Sequence, residues 1–270
     1  MNNFSVLLSL YAKEHPKYFK ECLDSIDAQT IQPDEIVIVL DGPITPELQN
    51  VVDELAITHL NLQIIPIAKN GGLGKALNVG LKYCSNNLIA RMDTDDIAVP
   101  DRFEKQLKIF EKYPEVGVVS SWIDEFEGTP DNVISTRKLP EFHYQLLGYA
   151  KTRCPVNHPA AMFRKEVVLF AGGYMPFPLF EDYYLWIRMM LNGTRFYNIQ
   201  ESLLKFRTSK DMYKRRGGMK HALDEIRFQN LIRKMGFISV IRCLENILIR
   251  FTVRVIPNKI RSVVYRKLLR

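Results

Sequence analysis

Short apolar runs alternate with amphipathic stretches through the first 120 residues, and this alternation leaves the chain few folds to choose from. Phe4–Leu10 reads as a buried strand, and 18–29 follows as a helix with Phe19, Cys22, Leu23 and Ile26 at helical spacing. The pattern then repeats. Residues 35–40 form a strand closed by Asp41-Gly42-Pro43, 46–55 a helix, Leu62–Ile67 a strand, Leu73–Tyr83 a helix and 88–92 a strand. An amphipathic helix over 101–113, striped by Phe103, Leu107 and Phe110, leads to a strand at 116–120. Strands this continuously apolar are buried on both faces, so the pattern predicts an α/β fold: a mostly parallel, Rossmann-like sheet with helices on both sides. Ligands in such sheets lie beyond the carboxyl ends of the strands. Polar punctuation falls there, at Tyr11, Asp41, Asn70 and the acids of 93–96.

Beyond residue 120 the pattern loosens. Residues 122–160 mix Gly, Pro and charges and read as irregular, 181–192 as a helix, and 205–216 as a basic stretch. These shifts predict one main domain over 1–235, split near 120 into a nucleotide-binding half and a second half, and a separate tail at 236–270. The tail holds eight Lys/Arg against Glu245 alone, so it carries the whole formal charge of +7. Such an excess suits an anionic membrane surface, nucleic acid or an acidic partner. Cys22, Cys84, Cys154 and Cys243 are scattered without a Cys-x-x-Cys pair, which speaks against a disulfide framework or zinc site and for a reducing, cytoplasmic setting. No basic leader precedes the first apolar run, and no run reaches the ~20 apolar residues of a membrane span.

The chemistry concentrates in a few segments. Asp93-Thr94-Asp95-Asp96 follows an apolar strand, where a turn can aim carboxylates at one point. Hard oxygen ligands suit Mg²⁺ or Mn²⁺ bridging to diphosphate oxygens, while the plainer alternative is an acidic turn. Asn70-Gly71-Gly72-Leu73-Gly74-Lys75 lies between strand and helix, where backbone amides and Lys75 can meet phosphate. It lacks the residues of a Walker A loop or a dinucleotide fingerprint, and tight turning with close helix packing explains its glycines equally well. Asp41 can accept from a base or ribose, or serve only as a turn residue. Glu181-Asp182 precedes Tyr183, Tyr184 and Trp186. One carboxylate can act as general base while an aromatic ring stacks on a sugar; the alternative is an acidic helix start with Trp186 in the core. Arg207, with Lys210, Lys214, Arg215 and Arg216, can neutralise diphosphate or form a solvated face, and His158 can meet metal or acceptor or serve structure.

In this order, the segments resemble glycosyltransferase family 2, whose members share the GT-A fold. The likeness runs over about the first 210 residues, through 4–11, 35–42, 70–80, 91–96, 157–164 and 181–186. Arg91-Met92-Asp93-Thr94-Asp95-Asp96-Ile97 followed by Pro100-Asp101-Arg102-Phe103 further resembles the bacterial branch that builds O-antigen and amylovoran-type exopolysaccharides. The resemblance implies nucleotide-binding roles for Asp41 and Asp93, and the residues themselves add Asn70, Gly71, Lys75 and Arg207 as nucleotide-binding candidates. It implies Asp95 with Asp93 on Mn²⁺ or Mg²⁺ and Asp182 as catalytic base, while Glu181, Trp186 and His158 are candidates toward the acceptor by their own chemistry. It further implies a UDP-sugar donor (galactose, glucose or N-acetylglucosamine), a polyprenyl-diphosphate-linked sugar acceptor, inversion at the anomeric carbon and no nucleic acid partner. Ser9-Leu10-Tyr11-Ala12 departs from the Pro-Thr-Tyr-Asn common in the family, and no Gln-x-x-Arg-Trp follows Asp182, which implies addition of a single sugar.

The tail sets Val240, Ile241, Leu244, Ile247, Leu248, Phe251 and Val255 on one helical stripe, with Arg242, Asn246, Arg250 and Arg254 opposite. Such a helix suits a membrane interface at the inner face of the bacterial plasma membrane, or packing on the catalytic domain. Two rivals share these features. A nucleotidyltransferase making an activated sugar would share the sheet and acidic site but have no use for a base beside an acceptor hydroxyl. A nonenzymatic basic membrane-binding module would use the tail alone.

Overall fold

The computed structural model describes residues 3–208 and 219–255. Lys210, Lys214, Arg215, Arg216, Lys259, Arg261, Arg266, Lys267 and Arg270 lie outside the described residues. The alternation holds: β1 (Phe4–Leu10), α1 (Pro16–Asp27), β2 (Glu35–Asp41), α2 (Pro46–Thr58), β3 (Leu62–Ile67), α3 (Leu73–Tyr83) and β4 (Leu88–Arg91) follow in turn. β5 (Ile97–Ala98), α4 (Arg102–Lys112) and β6 (Val116–Phe126) come next. α1 starts earlier than its apolar spacing suggests, because His15 caps it by accepting from the Lys17 N–H and Pro16 sits where a missing donor costs nothing.

The four parallel strands run in the order β3-β2-β1-β4, with Val6 beside Ile36 and Phe4 beside Leu88. Both faces are covered, so successive β1 side chains enter different cores. Val6, Leu8 and Leu10 join Phe19, Leu48 and Phe103 from α1, α2 and α4. Leu7 instead meets Ala76 and Leu77 of α3. Gly80 makes this second contact possible, since a Cβ there would lie 2.3 Å from Leu7 Cδ1 and 2.8 Å from Val39 Cγ2.

The region read as irregular is more ordered than its composition suggests. β6 continues to Phe126 and pairs with β7 (Val133–Arg137); α5 (His143–Tyr149), a 3-10 turn at His158–Ala160, β8 (Met162–Arg164) and α6 (Lys165–Phe170) follow. After α7 (Glu181–Leu191), β9 (Arg195–Arg207) occupies the start of the expected basic stretch and runs parallel to β6. The sheet then reads β3-β2-β1-β4-β8-β6-β9-β5, with the short β8 antiparallel between β4 and β6. α8 (Met219–Lys234) and α9 (Val240–Val255) complete the described chain.

α9 does not behave as a detached tail over its described length. Cys243 and Asn246 are buried, and the Asn246 amide donates to Lys151 O and Gln229 Oε1, each at 2.8 Å. Arg250 pairs with buried Glu225 of α8 at 3.1 Å. Asn246 and Arg250 of the polar side therefore face the protein while Arg242 stays exposed, and Ile241 and Leu248 on the apolar stripe are 72% and 71% exposed.

Candidate active site

The carboxyl ends of β1, β2 and β4 open onto one edge of the sheet, as a parallel arrangement requires. At the end of β2 the chain turns at Gly42, whose φ of +86° and whose approach to Asn70 N (2.7 Å from a Cβ placed there) exclude an ordinary side chain. The buried Asp41 carboxylate accepts from Gly71 N–H at 2.7 Å and Gly72 N–H at 3.0 Å, and the Asn70 amide donates to Asp41 O at 3.0 Å. The Gly71 amide expected at phosphate is thus committed to Asp41, and Asp41 itself anchors the glycine loop. Lys75 is exposed on the first turn of α3 with its aliphatic stem against Gly71.

At the end of β4 lies the acidic turn. Arg91, buried at 1% exposure, grips both oxygens of Asp93, at 3.1 Å through Nη1 and more closely through Nη2. Arg102 fixes this strand end by donating to Arg91 O at 2.7 Å. Asp96 points inward and accepts the Arg207 N–H at 2.9 Å, which makes it a support of the turn. Arg207 Nε donates to Asp95 O at 2.9 Å, its Nη2 meets Glu21, and its guanidinium lies 3.9 Å from the Tyr18 ring centre. With its side chain only 7% exposed, Arg207 is a brace beneath the acidic turn and is not presented to a diphosphate, as the basic stretch suggested.

Carboxylates crowd this edge. Burial, and then Asp93, push the Asp95 carboxyl up to about 6. Glu14, in the loop after β1, is pushed up to about 7 by burial, Asp95 and Asp93. Its sequence surroundings carry no motif, so only the fold reveals it. Among the described residues no group of three or more His, Cys, Asp and Glu is arranged to enclose a metal ion. Mg²⁺-type cations, however, are commonly held by one or two carboxylates together with substrate phosphates, and an oxygen-only pair whose charges repel fits that mode.

A cleft of about 590 Å³ continues from Arg91 and Asp93 past Gly74, His158, Tyr174, Glu181 and Asp182. Glu181 and Asp182 form the first turn of α7. Glu181 accepts from Gly74 N–H at 3.2 Å, tying α7 to the start of α3. Asp182 lines the cleft, and burial raises its carboxyl above the usual range against the pull of its backbone hydrogen bond, Arg137 and Arg91. A carboxylate biased this way is suited to take up a proton. His158 Nε2 lies 2.8 Å from Tyr174 Oη, and burial with Arg91 nearby holds the imidazole well below its ordinary pKa and neutral.

Trp186 departs from the expected sugar-stacking role. It is fully buried, packed against His158, Phe163 and Phe196. Lying four residues after Asp182 it shares that face of α7, but one turn farther along it sits in the core. The sequence reading missed Arg137, Tyr149, Arg153 and Arg250, which also line the cleft.

The fold is that of GT-A sugar transferases. It aligns with Staphylococcus aureus TarS 1–349 in complex with UDP-GlcNAc at a TM-score of 0.66 and 20% identity, covering 85% of this chain and 66% of that one. It aligns with the mannosyltransferase PcManGT from Pyrobaculum calidifontis, in complex with GDP-Man and Mn²⁺, at a TM-score of 0.59 and 20% identity, covering 85% and 62%. The chain thus spans about two thirds of these structures' length, and likeness at this identity speaks for the fold alone. In sequence, residues 5–169 match the glycosyl transferase family 2 profile, and the chain belongs to that family. It is 40% identical over 267 residues to the UDP-Gal:α-D-GlcNAc-diphosphoundecaprenol β-1,3-galactosyltransferase of Escherichia coli, covering 99% of this chain and 96% of that protein. It is 39% identical to the amylovoran biosynthesis glycosyltransferase AmsE of Erwinia amylovora, covering 98% of each. The protein is therefore a glycosyltransferase, which sets aside the nucleotidyltransferase and the nonenzymatic module.

Proposed function

We propose that this glycosyltransferase moves one hexose, with galactose the first to test, from a UDP-sugar to a sugar carried on a polyprenyl diphosphate. The reading is supported by one arrangement above all: Asp182 and the Arg91–Asp93 pair line a single cleft, so a proton acceptor and a strand-end acid face the same space. An acceptor hydroxyl oxygen attacks the anomeric carbon in line with the bond to UDP. The new C–O bond forms as the old one breaks, Asp182 takes the hydroxyl proton, and UDP leaves with the bonding electrons, inverting the centre. Asp95, helped by Asp93, would hold Mn²⁺ or Mg²⁺, which when bound supplies positive charge for the departing diphosphate. Arg91 orients Asp93, and Asp41 holds the glycine loop in the shape that receives the nucleotide.

The wider relatives act in exopolysaccharide and O-antigen synthesis by their names, which supports the same setting here. Among the described residues no helix is long and apolar enough to cross a membrane. Ile241, Leu244 and Leu248 instead offer an exposed apolar stripe on α9, suited to lie on the inner face of the plasma membrane where a lipid-linked acceptor resides.

The direct test is incubation with UDP-galactose, UDP-glucose or UDP-N-acetylglucosamine, with and without a synthetic GlcNAc-diphosphate-alkyl acceptor. Acceptor-dependent UDP release with a disaccharide product is expected. Failure of every UDP-sugar to give such a product would overturn the reading.

A further inference from the structure

Three arginines that the proposed reaction leaves without a task gather in the acceptor end of the cleft. Arg137 comes from β7, Arg153 from the segment after α5, and Arg250 from α9, and all three line the same cavity as Asp182. One short segment organises them. Arg250 Nη2 donates to Thr152 O, Arg137 Nη2 donates to Cys154 O at 2.9 Å, and Arg153 stands between those two residues. The Cys154 thiol in turn lies 3.8 Å from Asp182 Oδ2. The segment therefore connects the proton acceptor directly to the cations.

Holding guanidinium groups this way is costly unless something requires them. Arg250 is secured from behind by Glu225, itself 1% exposed, and its helix is pinned to the same segment through Asn246 and Lys151 O. The acids lining the cleft are Glu125, Glu181, Asp182 and Asp93, of which Glu181 accepts from Gly74 N–H and Asp93 is paired with Arg91. A guanidinium is the group best matched to phosphate oxygens, and three from separate elements bring their charge to one place, with Arg250 held by Glu225 and Thr152 O and Arg137 by Cys154 O so that their remaining N–H groups are fixed in position. Thr152, which meets Arg250, and Cys154, which meets Arg137 and Asp182, are two residues apart on this one segment. An acceptor whose hydroxyl reaches Asp182 would then carry the substituent at its far end onto the arginines.

We infer that Arg137, Arg153 and Arg250 form a receiving site for the diphosphate of the acceptor, distinct from the donor diphosphate site at the end of β4. This inference rests on the function proposed above and deepens it. It explains why α9, whose apolar stripe faces outward, sends a charged residue inward: one helix serves both the phosphate and the lipid side of one ligand.

The test compares two acceptors bearing the same sugar, one on a diphosphate-alkyl group and one on an uncharged alkyl group, using the full-length protein with a UDP-sugar. For wild type, kcat/KM should favour the charged acceptor at least tenfold. In Arg153→Gln, Arg250→Gln and Arg137→Gln that preference should fall tenfold or more, with Arg250→Lys recovering part of it, while the KM for UDP-sugar stays within twofold. Arg250→Gln strands the buried Glu225, so the Arg250→Gln/Glu225→Gln pair and Arg153→Gln carry the test if the single variant does not fold. Equal losses on both acceptors would overturn the assignment, as would a rise in donor KM matching the acceptor loss. If wild type uses both acceptors equally, this site falls and the proposed transfer stands. If it uses neither, with any UDP-sugar, the transfer reading itself falls.

Discussion

The two halves of the cleft are built in opposite ways. The edge proposed to take the donor comes from consecutive β-strand and α-helix units, so each contribution, Asp41, the glycine loop and the acids at 93–96, lies where a strand ends in the sequence. The side proposed to take the acceptor is assembled from distant pieces: α7, the segment after α5, β7 and α9 line one cleft together. A parallel sheet places its functional loops through local connectivity, whereas the other wall depends on long-range packing that no short window of sequence encodes. If the halves also divide the chemistry, damage to one should spare the task of the other.

The largest effect is expected at Asp182. Asp182→Asn should lower turnover by about 10²–10⁴-fold while leaving UDP affinity intact, read by product formation and by calorimetric titration of UDP. Stability gives an independent control whose sign can be worked out. Burial raises the Asp182 carboxyl above its unfolded value. Its contribution is therefore fully present below the unfolded pKa and lost as pH rises through the folded one. An uncharged amide escapes that loss, so Asp182→Asn should melt no lower than wild type at pH 7. A variant that loses UDP binding along with turnover would break the division between the halves.

Asp95→Asn tests the donor edge from the other direction. It should remove stimulation of UDP binding by Mn²⁺ or Mg²⁺ and lower turnover by about 10²–10³-fold, the scale seen when one group stabilising developing charge is deleted. Chelation of wild type with EDTA should reproduce the deficit, and unchanged metal response in the variant would take Asp95 out of this role.

What the sequence disclosed follows the same division. β1 to β4 were legible because strands buried on both faces are continuously apolar, and the pairing of Asp41 with Asp93–Asp96 in order pointed to the edge they share. β9 was not, because its alternation of buried Phe196 and Asn198 with exposed Arg195 and partly exposed Tyr197 breaks at buried Ile199, and its end at Lys205 and Arg207 merges into the stretch read as basic. Glu14 and Arg250 carry no motif at all. Glu14 comes near Asp93 and Asp95, and Arg250 enters the cleft, only once the chain is folded.

A smaller effect concerns pH. The acid limb of kcat/KM should lie above ~3.9, the ordinary aspartate value, because the raised carboxyl of Asp182 must be ionised to accept a proton. Arg137 favours the ionised form, so Arg137→Gln should move that limb to higher pH. A limb that stays fixed in this variant would separate Arg137 from Asp182 electrostatically and leave the acceptor side less integrated than its hydrogen bonds imply.

The smallest effect on catalysis is expected at Trp186, where the two halves of a single helix face can be told apart. Asp182 and Trp186 lie one turn apart on α7, and sequence spacing alone pairs them as base and stacking platform. In the fold Trp186 has no exposed surface, and its indole N–H has no hydrogen-bond partner among the described residues. Trp186→Phe therefore removes no polar contact and trims only core volume, a change expected to cost about 1–2 kcal/mol of stability. Acceptor KM should remain within twofold of wild type once the protein is assayed well below its melting temperature. A stacking role would give the reverse pattern, with a raised acceptor KM and little change in melting, because an exposed ring contributes to binding without supporting the core.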